Sequence, residues 1–98
     1  MTELTSANFD AFIANGTVLV DFYAPWCGPC RHMEPIVSRV TTALGIPLGK
    51  LDVDNASSVA SLYGVTSLPT LLLFKQGELK SRNIGAMGEK ALADWLRK

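Results

Sequence analysis

The amino-acid sequence predicts an α/β fold in which a mixed β-sheet is sandwiched between helices. Helical and strand-like patterns alternate along most of the chain, and strands joined through helices pair in parallel. One turn sequence near the end joins two strands directly, which makes that last pair antiparallel. A length of 98 residues suffices for one hydrophobic core, so we expect residues 1–98 to form a single domain.

The first strand and the first helix are short. Thr2–Leu4 is predicted to be a strand, and Thr5 or Ser6 is predicted to cap the helix that follows. The apolar residues of this helix lie at positions i, i+3 and i+4, namely Phe9, Phe12 and Ile13. Gly16 is expected to end the helix, because glycine readily adopts the left-handed conformation found after a helix.

A continuous β-branched and aromatic segment, Thr17–Tyr23, predicts a central strand covered on both faces by helices. A second helix is predicted from Pro29 onward, with Pro35 inside it. Its apolar positions keep helical spacing at Met33, Ile36, Val37, Val40 and Leu44. Gly45 and Pro47 are expected to end it.

The middle of the chain predicts a third strand and a third helix. The strand, Pro47–Val53, carries Lys50, and Asp54 or Asn55 is expected to cap the helix. The apolar residues of that helix are Val59, Leu62 and Tyr63. Gly64 is its predicted end.

The last third of the chain predicts a hairpin and a terminal helix. Pro69 opens the strand Thr70–Phe74. The segment Lys75–Glu78 is a hairpin turn into the last strand, Leu79–Ile84. A break at Gly85–Gly88 then precedes the helix, whose apolar face contains Leu92, Trp95 and Leu96.

Composition excludes several classes of function. Nine acidic and nine basic residues give a formal net charge of zero, so we expect no nucleic-acid partner, which would need a basic surface. The sequence has neither an apolar stretch of about 18 residues nor the pattern of an export signal, so we expect no membrane association. With only two cysteines, the chain is unlike a secreted disulfide scaffold. We therefore expect a cytoplasmic protein.

The two cysteines, Cys27 and Cys30, lie two residues apart where the central strand leads into the second helix. This spacing on a first helical turn allows a disulfide to form and break with little backbone movement. A loop this short stabilises a fold by only roughly 2 kcal/mol, so the spacing indicates redox chemistry rather than stabilisation. Cys27 lies at the helix start, where free N–H groups favour the attacking thiolate. We expect Cys27 to be the exposed attacker and Cys30, one turn further in, to resolve the mixed disulfide.

Two other interpretations of the cysteines are less favoured. A structural zinc site needs four ligands, and the chain offers two cysteines and one histidine, His32, which we expect to be solvated. Two inert buried thiols would not explain Gly28-Pro29 at a strand-to-helix turn. Asp52 and Asp54 suggest a metal pair only weakly, and helix capping by Asp54 is preferred.

Asp21 is a lone acid inside the apolar central strand. Burying an ionised carboxylate is costly, so we expect a raised pKa and a role as proton acceptor. The alternative is an Asp21 that is paired with Lys50 or bonded to the backbone without catalytic effect.

Three segments of the chain resemble the thioredoxin family. Residues 20–30 match its active-site signature, residues 67–70 match the loop with its cis-proline, and Gly85-Ala86 matches the glycine before its last helix. The resemblance covers essentially the whole chain and implies the thioredoxin fold, a five-stranded mixed sheet flanked by four helices. It also implies a monomeric reductant that carries electrons from a reductase to protein disulfides, without a bound cofactor or metal.

The resemblance assigns roles to single residues. Asp21 matches the buried carboxylate that assists proton movement at the resolving cysteine, and Lys50 matches the lysine that approaches it. Pro69 would lie beside the cysteines, where a substrate peptide pairs with the backbone around Ser67 and Leu68. The apolar docking surface would consist of Trp26, Gly28, Pro29, Leu68, Gly85 and Ala86.

Two departures bear on the direction of electron flow. Tyr23 replaces the tryptophan usual in bacterial thioredoxins, and Phe22–Trp26 also resembles the catalytic domains of protein disulfide isomerase. Those domains carry Gly-His between the cysteines, and the histidine makes the disulfide more oxidising. Gly28-Pro29 supplies no such charge, so we predict a reductant. An oxidant or isomerase and a non-catalytic docking subunit are the alternatives.

Overall fold

The structure, a computed structural model, describes residues 1–98 and contains five strands and four helices. The strands are β1 (Thr2–Leu4), β2 (Thr17–Tyr23), β3 (Leu48–Asp52), β4 (Thr70–Lys75) and β5 (Glu78–Ile84). The helices are α1 (Phe9–Ile13), α2 (Gly28–Leu44), α3 (Ser57–Leu62) and α4 (Glu89–Leu96). The predicted fold class and the order of elements are confirmed.

All strands belong to one mixed sheet with the order β1-β3-β2-β4-β5. The first three strands in this order are parallel, and β4 is antiparallel to both β2 and β5. The strand β2 is therefore central, as predicted, and pairs with β3 on one side and β4 on the other. Its position buries the whole strand except the two terminal residues, which are half-buried.

Helices cover both faces of the sheet. The alternate residues Val18, Val20 and Phe22 of β2 pack in a core with α1 and α3. On the opposite face, Leu19 packs in a second core with α2 and α4. Asp21 follows Leu19 at the strand period of two, so it lies on the face that α2 covers. The site is built on this second face.

Three aromatic side chains anchor the first core. The ring centroids of Phe9 and Phe74 are 5.9 Å apart, and that of Tyr63 lies 5.6 Å from Phe9 and 5.5 Å from Phe74. The two contacts of Phe74 are edge-to-face, an arrangement worth about 0.5–1.5 kcal/mol beyond burial. Helix α1 and the end of α3 are thereby fixed to the sheet.

The predicted caps of the two short helices are wrong. The N-cap of α1 is Asn8, because the chain first makes a separate turn in which Thr5 Oγ1 accepts a bond from the Ala7 N–H. Ser6 lies within that turn. Helix α3 begins after Ala56. The residues before it form a turn, in which the Asp52 carbonyl accepts hydrogen bonds from the N–H groups of Asn55 and Ala56.

Asp54 and Asn55 lie within that second turn and cap nothing. Leu62 was expected on the apolar face of α3, but its side chain is 75% exposed while Val59 and Ala60 face the core. Trp95 is half-buried, and its indole N–H reaches Ser81 Oγ at 2.8 Å.

Most predicted boundaries are correct to within one residue. Helix α2 begins at Gly28 rather than Pro29, because Cys27 serves as its N-cap. The hairpin turn is confirmed at Gln76 and Gly77, whose φ angles of 52° and 82° give the left-handed pair that favours tight hairpins. No helix has both the length and the apolar character needed to cross a membrane.

Gly49 on β3 is the glycine with the least space for a side chain. A Cβ atom there would lie 2.5 Å from Leu4 Cδ1 and 2.7 Å from Phe12 Cε2. We expect Gly49→Ala to lower the free energy of unfolding by about 1–3 kcal/mol, because both side chains must move within a packed core. Urea unfolding followed by circular dichroism measures the change.

The control is Gly88→Ser, at the N-cap of α4, where an added Cβ meets nothing within 4 Å. Serine is a favoured N-cap, so this variant should not be destabilised by more than about 0.5 kcal/mol. Equal stability of Gly49→Ala and the wild type would contradict the packing account.

Candidate redox-active site

The two cysteines lie at the junction of β2 and α2. Cys27 is the N-cap of α2, and Cys30 lies in the first turn with Pro29 before it. Proline suits this turn because its fixed φ is helical and it has no N–H to leave unpaired. The cysteines form a disulfide with a Cα–Cα distance of 5.3 Å. Cys27 Sγ also accepts the Cys30 N–H at 3.3 Å, so its sulfur occupies the place of a helix-capping acceptor.

The two sulfurs differ less in exposure than the sequence predicted. Cys27 is 6% exposed and Cys30 is 4% exposed. Cys27 is this well covered because its sulfur lies against the first turn of α2, bonded to Cys30 and to the Cys30 N–H. The distinction lies in their surroundings, since Cys27 lines an open groove and Cys30 does not.

The groove beside Cys27 has a volume of about 530 Å³. Its lining consists of Trp26, Cys27, Gly28, Pro29, Val53, Val65, Thr66 and Leu68. Trp26 is 68% exposed, and its indole N–H donates to Asp54 Oδ2 at 2.9 Å. Asp54 therefore orients Trp26 instead of capping α3. Asp52 Oδ1 in turn accepts the Asp54 N–H at 2.9 Å.

Sequence reasoning found Trp26, Gly28, Pro29 and Leu68 but missed three other residues of the groove. These are Val53, Val65 and Thr66. Each lies just after a strand or in the loop before Pro69. All three lie in loops at the same end of the sheet as Cys27. This shared position was the evidence in the sequence that they belong to the groove.

The loop before β4 presents free backbone groups. The Leu68-Pro69 peptide bond is cis, and Pro69 is buried. Neither the N–H nor the carbonyl of Leu68 is hydrogen-bonded within the chain. The carbonyl of the exposed Ser67 accepts the Thr70 hydroxyl at 2.6 Å. Leu68 thus offers one donor and one acceptor to an extended peptide.

Gly85 and Ala86 do not line the groove. Gly85, with φ of 93°, donates its N–H to the Pro69 carbonyl at 2.8 Å, so the end of β5 is tied to the cis-proline loop. Ala86 is exposed beside it. The two residues therefore adjoin the loop predicted to bind substrate.

Asp21 is buried on the face of β2 that α2 covers. It is 2% exposed, and its Oδ1 atom has no hydrogen-bond partner. Burial raises its pKa to about 6, while Lys50 opposes the rise and Glu34 adds to it. Asp21 forms no ion pair with Lys50, although the two residues are register partners on β2 and β3. A carboxyl group in this state can gain or lose a proton near neutral pH.

Lys50 forms its ion pair with Glu34 on α2 rather than with Asp21. Its Nζ lies 2.7 Å from Glu34 Oε2 and 4.2 Å from the centre of the Tyr23 ring. Burial and the Glu3 carboxylate, which accepts the Tyr23 hydroxyl at 2.8 Å, raise the pKa of Tyr23 above its usual value. Sequence reasoning missed Glu34. The sequence does contain an indication of it, because Glu34 follows Cys30 by four residues and both therefore lie on one face of α2.

His32 is exposed on the first turn of α2, as predicted. No group of three or more His, Cys, Asp or Glu side chains is arranged to hold a metal ion. The site combines the two sulfurs with one buried carboxyl group on the strand that leads to them. Such a site can exchange two electrons with a dithiol or disulfide.

Comparison with known proteins agrees with this geometry. The family model for thioredoxin matches residues 1–98. A thioredoxin from Chlamydia pneumoniae is 44% identical over 96 residues, which cover 97% of this chain and 94% of that protein. A thioredoxin from Bacillus subtilis (strain 168) is 37% identical over 100 residues, covering 100% of this chain and 96% of the relative.

A solved structure of a mutant thioredoxin from Halobacterium salinarum NRC-1 superposes with a TM-score of 0.90 at 38% identity. The match covers 98% of this chain and 87% of that one. The matched family model, the close relatives and the shared fold lead to one conclusion. The chain belongs to the thioredoxin family, whose members are protein-disulfide reductases.

Proposed function

We propose that this thiol–disulfide oxidoreductase reduces protein disulfides with Cys27 as nucleophile and Cys30 as resolving thiol. The observation that carries the assignment is the groove, which reaches Cys27 and not Cys30. A substrate disulfide that enters it meets the sulfur at the helix start first. The N–H of Cys30, which already points at Cys27 Sγ, stabilises that sulfur as a thiolate in the reduced protein.

The reaction proceeds in two exchange steps. The Cys27 thiolate attacks one sulfur of the substrate disulfide, forming a mixed disulfide and releasing the other sulfur as a thiolate, which takes a proton. Cys30 then loses its proton and attacks Cys27 Sγ. The mixed disulfide breaks, the second substrate sulfur leaves as a thiolate, and the Cys27–Cys30 disulfide remains. Two electrons have moved from this protein to the substrate.

Asp21 accepts the proton of Cys30 in the second step. Its buried position and its pKa of about 6 support this role, because such a carboxyl group is ionised at pH 7 yet binds a proton readily. Lys50 acts on Asp21 through its charge, which favours the ionised carboxylate. The proton then passes from Asp21 to solvent or to the leaving thiolate.

The substrate binds as an extended peptide along the cis-proline loop. The free N–H and carbonyl of Leu68 supply a donor and an acceptor for its backbone. Trp26 and Pro29 provide apolar contact beside Cys27, and Ser67, Gly85 and Ala86 border the bound peptide. We expect a monomer in the cytoplasm that a thioredoxin reductase or an equivalent donor returns to the dithiol form.

Replacing one cysteine at a time separates the two roles. With Cys30→Ser, the mixed disulfide on Cys27 cannot be resolved, so covalent complexes with a protein disulfide such as that of insulin should accumulate. Cys27→Ser should trap none, because Cys30 does not reach the groove. Non-reducing gel electrophoresis measures both, and the opposite pattern would reverse the assignment.

Catalytic turnover itself is tested by insulin reduction with dithiothreitol as donor. The wild type should accelerate reduction, and the double variant Cys27→Ser, Cys30→Ser should not. An inactive wild type would favour a docking subunit over a reductase.

The raised pKa of Asp21 makes stability depend on pH. Between its ordinary pKa of 3.8 and its folded pKa of about 6, the native protein binds more protons than the unfolded chain. Asp21 therefore contributes to the free energy of unfolding at low pH. This contribution falls as pH rises through the range, by about 3 kcal/mol in total. Asp21→Asn stays neutral and escapes the loss.

The oxidised variant should therefore gain about 2 kcal/mol relative to oxidised wild type between pH 4 and pH 7, because the unfolded carboxyl group is already partly ionised at pH 4. Urea unfolding at both pH values gives this difference. The control is Asp10→Asn, which removes the same charge at an exposed position of α1. Its stability relative to wild type should change much less between these two pH values. A difference between Asp21→Asn and wild type that does not change with pH would rule out the buried, proton-binding carboxyl group.

A further inference from the structure

A row of three charged residues crosses the sheet beneath α2. Glu3 on β1 is the register partner of Lys50 on β3, and Lys50 is the register partner of Asp21 on β2. Register partners in a sheet point to the same face. Lys50 therefore lies between two carboxylates, and a row of this kind would be expected to pair the lysine with one of them.

Lys50 pairs with neither of these neighbours. Its side chain is 7% exposed, and its ion pair is with Glu34 on α2, at 2.7 Å. The Tyr23 ring lies against the ammonium group at 4.2 Å, a distance suitable for a cation–π contact. Glu3 accepts the Tyr23 hydroxyl instead, and Asp21 keeps an unpartnered oxygen.

We propose that Glu34 is a positioning residue that draws the Lys50 ammonium away from Asp21 and so keeps the Asp21 carboxyl group unpaired. The inference builds on the proposed role of Asp21 as proton acceptor. Glu34 touches neither sulfur in this scheme. It acts through Lys50, from the helix that also carries Cys30, four residues earlier on the same face.

The groups around Lys50 indicate which partner it takes if the Glu34 charge is removed. Lys50 is too deeply buried to take its charge into water, so it needs another partner. On β3, Asp52 is engaged by the Asp54 N–H, and on β1, Glu3 is engaged by Tyr23. On β4, the register partner of Asp21 is the apolar Leu71.

Asp21 is the adjacent carboxyl group with an unpartnered buried oxygen, so it becomes the new partner of Lys50. An ammonium group at contact distance favours the ionised carboxylate, commonly lowering a carboxyl pKa by about 1–3. Asp21 would then hold a proton less readily near neutral pH. Glu34 thus sets the pH range in which Asp21 exchanges a proton.

The test is the pKa of Asp21, measured by NMR titration of ¹³C-labelled carboxyl groups in the oxidised protein. Glu34→Gln should lower this pKa by at least about 1. The control Glu89→Gln removes the same charge from an exposed ion pair with Arg39, and it should leave the Asp21 pKa unchanged. No substrate is present, so the result is independent of whether Asp21 acts in catalysis.

A second background separates positioning from direct repulsion between Glu34 and Asp21. Glu34→Gln is also made in a Lys50→Met variant, in which there is no ammonium group to reposition. If Glu34 acts through Lys50, the substitution should lower the Asp21 pKa much less in this background than in the wild type. An equal fall in both backgrounds, or no fall with Lys50 present, would overturn the proposal.

Discussion

The central strand β2 is covered by helices on both faces, and this burial is the constraint on which the site depends. Any side chain in the middle of the strand is removed from water, including the carboxyl group of Asp21. The same strand ends at Tyr23, and four residues later the chain reaches Cys27 at the N-cap of α2. The strand therefore carries a proton-binding group inside the fold and leads directly to a sulfur that lines the open groove.

The helix start adds the second half of the arrangement. A helix N-terminus leaves N–H groups without partners, and here the Cys30 N–H is directed at Cys27 Sγ. In the proposed reaction, the groove makes Cys27 the sulfur that meets a substrate, because Cys27 lines it and Cys30 does not. Burial makes Asp21 costly to ionise, whereas the proposed reaction uses the helix start to favour an anion at Cys27. These opposite effects on two acidic groups suit a sequence of attack followed by proton removal.

Much of this was predictable because its signals are local. The pattern from Thr17 to Tyr23, the Cys-X-X-Cys spacing and the lone acid at position 21 each depend on neighbours in sequence. Two of the errors concern contacts between distant segments. Asp54 was assigned to a helix cap because the sequence does not show that Trp26 lies beside it. Glu34 was missed because its partner, Lys50, lies on a strand that becomes its neighbour only in the folded chain.

The central claim is that this site donates electrons, and the reduction potential of the Cys27–Cys30 disulfide tests it most directly. Equilibration with glutathione or dithiothreitol, followed by quantification of the thiol and disulfide forms, gives the value. A reductant of protein disulfides should have a potential below about −220 mV, within or below the range of the glutathione pool. A potential of about −180 mV or higher, in the range of protein disulfide isomerase, would contradict the account.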